Sequence, residues 1–81
     1  MPTTPNHLVR FTDPDGRVRY LASNEITEAI VTQDPNQPIK CRDSYGDLLM
    51  NPVDDTKVLT IRVKDLSAGT LEQTGLPFPA N

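Results

Sequence analysis

The chain has 81 residues, a net charge of −3 and a sequence pI near 4.8. That length allows one domain and not two. Hydrophobic residues make up 36%, below an ordinary soluble domain even with the four glycines added, but Leu, Ile, Val and Phe still number 20 of 81, which excludes wholesale disorder.

No apolar run approaches the roughly 20 residues that span a bilayer. Met1-Pro2-Thr3-Thr4-Pro5 has neither the basic nor the apolar region of a signal peptide. The single cysteine, Cys41, cannot form an internal disulfide. The expectation is a soluble, cytoplasmic (intracellular) chain, or a virion component if it comes from a phage. So small a core is only marginally stable alone, which favours a protein partner or a homo-oligomer.

Residues 1–6 hold two prolines and no hydrophobe after Met1 and are expected to be an extended N-terminal arm. His7 to Thr12 and Arg17 to Ala22 alternate apolar and polar residues, so both are expected as strands. Asp13-Pro14-Asp15-Gly16 between them is a turn sequence: proline suits the first central position and glycine the left-handed one. Two registers compete. A three-residue loop, Pro14 to Gly16, sets Phe11 on one face with Arg19. A four-residue loop pairs Phe11 with Val18 and Val9 with Tyr20, and places Arg10, Arg17 and Arg19 on a common face.

Asn24 can cap one helical turn near residues 24–28, followed by a strand over Glu28 to Gln33; a helix over residues 24–32 is the competing expectation. Ile39 to Asp43 reads as a strand, Ser44-Tyr45-Gly46-Asp47 as a tight turn, and Leu48 to Met50 as the returning strand. A loop at Asp54 and Asp55 leads into Lys57 to Val63, with Leu59, Ile61 and Val63 on one face. Leu66 closes the core. Residues 67–81 lack any period and hold Gly69, Gly75, Pro77 and Pro79. They are expected to be an extended C-terminal arm outside a domain spanning residues 7–66. The expected fold is all-β and mainly antiparallel: a small sheet or partly open barrel of five to six strands. In layout it resembles the SH3-like and OB-like classes.

Few residues suggest chemistry. His7 and Cys41 are too few for a zinc site and are a nucleophilic pair only if they meet. The aspartate pairs 13/15, 43/47 and 54/55 suit turns; a calcium loop needs later ligands that this chain lacks. No phosphate loop or nucleophile elbow is present. No catalytic residue, metal or cofactor is therefore expected, and a carboxylate enzyme is a remote alternative.

The basic residues fall in or beside predicted strands, and the acids mostly in loops. Arg10, Arg17 and Arg19 are a candidate docking face for phosphates or an acidic protein. Tyr45, at a turn tip, can stack on a base. Leu76 and Phe78 lie in a stiff Leu76-Pro77-Phe78-Pro79 segment fit to anchor in a partner's pocket. The leading expectation is a non-catalytic protein-interaction module that docks on a larger assembly. Phage accessory and cement subunits and small phage-encoded inhibitors have this general build. The alternative is a small barrel binding nucleic acid through the arginine face, against which the acidic pI works.

Overall fold

The computed structural model describes residues 6–51 and 58–79. Strands β1 (His7–Thr12), β2 (Val18–Ala22), β3 (Pro38–Arg42), β4 (Val58–Arg62) and β5 (Thr70–Pro77) form one sheet in the order β4-β3-β2-β1-β5. Every neighbouring pair is antiparallel. β4 and β5 are edges that do not pair with each other, so the sheet stays open rather than closing into a barrel. Among the described residues three helices accompany it: α1 (Ser23–Val31), α2 (Tyr45–Met50) and α3 (Val63–Leu66). The fold is small and mainly β, with more helix than the single turn expected.

The β1–β2 turn adopts the three-residue loop. The Asp13 amide donates to the Arg17 carbonyl, and the Gly16 amide to the Asp13 carbonyl, both at 2.9 Å. Asp13 Oδ1 also accepts from the amides of Asp15 at 3.0 Å and Arg17 at 2.8 Å. Gly16 takes φ +89°, which glycine adopts without strain. Phe11 therefore faces Arg19 and Val9 faces Leu21. The four-residue register does not form. The hydrogen bonds gathered by the Asp13 carboxylate outweigh a tidier apolar pairing.

Pairing carries Val9, Phe11, Leu21, Ile39, Cys41 and Ile61 onto one face of the sheet. There they form the core with Ile26 and Ala29 of α1, while Leu59, Val63 and Leu66 pack against its margin. α1 replaces the strand expected over residues 28–33. Ile26 and Ala29 lie three apart and bury together, which outweighs the β-branched preference of Ile30 and Val31. Asn6, just before β1, caps the helix from outside: its Oδ1 accepts from the Asn24 amide at 3.1 Å and the Ser23 hydroxyl at 3.2 Å. Gln33, at φ +58°, ends the segment.

α2 replaces the turn and strand expected over residues 44–50. The Ser44 hydroxyl accepts from the Asp47 amide at 3.2 Å, a side-chain cap that starts the helix. Leu48 is fully buried. β4 matches the strand expected from Lys57 to Val63 except at its ends: Val63 opens α3, and Lys57 lies outside the described residues, as does the loop at Asp54 and Asp55.

The largest correction concerns the C-terminal arm. Residues 70–77 are not an arm but the strand β5, paired with β1 from Thr12↔Thr70 through Phe11↔Leu71 and Arg10↔Glu72 to Val9↔Gln73. A bulge follows before His7 meets Pro77. Gly75 makes it at φ +79°, and the Thr74 hydroxyl donates to the Leu8 carbonyl at 3.0 Å. The sheet thus extends well past Leu66.

Gly69 admits the chain to that position. A Cβ there would stand 2.4 Å from the Thr12 carbonyl oxygen and 2.6 Å from the Phe11 ring. Gly69→Ala is expected to destabilise the fold by roughly 1–3 kcal/mol, as overpacking does. Gly46→Ala, whose Cβ meets nothing nearer than 4.0 Å, is expected to lose far less. Urea denaturation of the two variants checks this.

Candidate interaction surface

The three candidate arginines do not share a face. Arg10 lies on the sheet face opposite α1, across from Tyr20, and its guanidinium holds the Glu72 carboxylate of β5. Arg17 lies in the loop, outside any strand. Arg19 sits on the α1 side with Phe11, between Asp13 at 3.9 Å and Asp43 at 4.0 Å. The arginine face required the four-residue register, and it disappears with that register. Arg42 is also withdrawn from the surface: only 8% exposed, it donates to the Asn51 carbonyl at 2.9 Å.

Tyr45 is not at an open turn tip. It belongs to α2, half-buried, with its ring centroid 5.4 Å from that of Tyr20 and the planes tilted by 54°, an ordinary aromatic pair. Phe78 folds back on its own domain: its amide donates to the Asn6 carbonyl at 2.8 Å and the residue is half-buried. Leu76 stays exposed on β5. His7 and Cys41 occupy β1 and β3, with β2 between them. Among the described residues no three His, Cys, Asp or Glu side chains gather as a metal site. No described helix is long and apolar enough to cross a membrane.

β5 itself offers a surface that inspection of the sequence missed. One side of it pairs with β1 and, among the described residues, the other is an open edge. None of its side chains is buried. Beside it, on the α1 side, runs a groove of about 330 Å³ whose lining includes Val9, Ile26, Thr27, Leu71 and Gln73. It exists because α1 lies over β1, β2 and β3 and leaves the inner face of β5 uncovered. Leu71, 41% exposed, forms its outer wall. A second concavity, of about 290 Å³, lies towards the opposite face.

No protein-family model, curated protein or solved structure matches this chain.

Cys41 is an interior thiol, 3% exposed. Burial pushes its pKa up from 9.0 to about 11; nearby Arg19 works against the shift and Asp43 adds to it. Its contribution to stability is complete below the unfolded value and is lost as pH rises towards the folded one. Between pH 9 and 11 the chain is expected to lose up to about 2 kcal/mol more stability than Cys41→Ala loses over the same range. Urea midpoints across that range decide it; parallel curves would contradict the burial of the thiol.

Proposed function

We propose that the chain is a non-catalytic protein-interaction module that docks on a larger assembly, as an accessory subunit does, by adding a strand to the open edge of β5. The observation that carries this is the chemistry of that edge. An unpaired strand edge presents a row of N–H and C=O groups that another strand can satisfy. Folded proteins usually blunt such edges with charge, proline or a bulge. In β5 the bulge at Gly75 and Pro77 guard only the far end. Over Thr70 to Gln73 the one charge, Glu72, is already held by Arg10. A strand laid there has its backbone matched by β5, and its inward side chains meet the groove between Leu71 and Ile26. The partner is another protein or a second copy of the chain.

The division of Arg10 and Arg19 between opposite faces, with a net charge of −3, makes this reading preferable to nucleic-acid binding.

Truncation at residue 67 is unsuitable as a test, because it removes a sheet strand. Leu71→Lys leaves the backbone intact, and its effect on stability is expected to stay near 0.5 kcal/mol, as for other exposed positions. The tagged chain is expected to retain its partner from a lysate of its own source, and Leu71→Lys to lose it. Leu49→Lys, at an exposed position of α2, serves as control and is expected to behave as the parent. Equal retention by all three chains contradicts docking at β5.

A further inference from the structure

The second concavity lies away from the β5 groove and is built differently. Tyr20 and Ala22 of β2, Lys40 of β3 and Val58 of β4 share the sheet face that α1 does not cover. Phe78 forms another wall, and Glu25, in the first turn of α1, also lines the space. Tyr45 steadies the Tyr20 ring from α2. Asn6, Asn24 and Arg42 line it too, so the concavity is polar overall, with an aromatic and aliphatic patch at Tyr20, Phe78 and Val58.

Two of the lining charges have no ion-pair partner among the described residues. The ion pairs among the described residues are Arg10–Glu72, Arg19–Asp13 and Arg19–Asp43. Lys40 and Glu25 belong to none of them, and they do not pair with each other although both line the same space. Opposite charges at a concave surface, beside that patch, attract a ligand more strongly than they would in open water. A single-charge ligand meets only one of them favourably. A zwitterion meets both.

We propose that this concavity binds a free α-amino acid with an aromatic side chain. Its carboxylate lies against the Lys40 ammonium. Its ammonium lies against the Glu25 carboxylate. Its ring rests among Tyr20, Phe78 and Val58, where offset or edge-to-face contact is available. The volume of about 290 Å³ is at the small end of ligand pockets and suits one amino acid rather than a nucleotide. Glu25 beside Lys40 makes the lining a poor match for a dianion such as phosphate. The site stands or falls independently of docking at β5.

The test is a ¹H–¹⁵N NMR titration of the full chain with three probes: L-phenylalanine, 3-phenylpropionate, which lacks the ammonium, and phenethylamine, which lacks the carboxylate. Phenylalanine is expected to give saturable shifts at the amides of Tyr20, Lys40 and Phe78, with a Kd of about 1 mM. Each analogue is expected to bind at least about threefold more weakly, the scale of one partly exposed charge pair. Lys40→Gln and Glu25→Gln are each expected to weaken phenylalanine by a similar factor, whereas Lys64→Gln, on α3, is expected to leave it unchanged. Glu25→Gln is also expected to abolish the preference for phenylalanine over 3-phenylpropionate. The proposal is overturned if phenylalanine gives no saturable shift by about 10 mM, a concentration well above that Kd. It is equally overturned if 3-phenylpropionate binds the parent as tightly as phenylalanine, or if the shifts centre on the β5 groove. The analogue comparison needs no variant, so it stands even if a substitution disturbs folding.

Discussion

The ring of Phe11 and the bare backbone of Gly69 meet where β5 begins its pairing with β1. Phe11 is 1% exposed, in a core that α1 covers. Burying such a side chain is worth roughly 1.5–3 kcal/mol, a large share of the stability of a small domain. The chain leaves α3 and comes back beside this ring, and only a residue without a Cβ fits between the ring and the Thr12 carbonyl. From there Thr70 falls opposite Thr12 and Leu71 opposite Phe11. The register of β5, its open edge and the groove along it all follow from that contact.

What the sequence made legible was what local chemistry decides. Asp13-Pro14-Asp15-Gly16 names its own turn, and the strands on either side alternate plainly. β3 and β4 also carry their period, with Ile39 and Cys41 in one and Leu59 and Ile61 in the other. The register at the hairpin was open because two local preferences conflicted, and hydrogen bonding to the Asp13 carboxylate resolved it. α2 had a usable signal, Ser44 followed three residues later by Asp47, hidden behind a glycine that also suits a turn.

The rest depended on distant residues. Ile30, Val31 and Thr32 favour a strand by type, yet the burial of Ile26 and Ala29 against β1, β2 and β3 keeps their segment helical. β5 shows no apolar alternation because neither of its faces is buried; its hold on β1 is a strand pairing joined by the Arg10–Glu72 pair and the Thr74 hydroxyl. A strand held in this way leaves no pattern in its side chains. The candidate site suffered for the same reason. Leu76 is legible as an apolar residue beside Pro77, whereas nothing local sets Leu71 opposite Phe11. Lys40 and Glu25 stand 15 positions apart in the sequence, and only the sheet brings them to one concavity.

The central claim is that residues 70–77 are a sheet strand with one side paired and the other side free. Amide hydrogen exchange over Thr70 to Gln73 addresses both halves at once, because successive amides of an edge strand point alternately towards the neighbouring strand and away from it. Protected and freely exchanging amides are expected to alternate there. Uniformly fast exchange would mean that the segment is an arm after all, and uniform protection would mean that the edge is already covered.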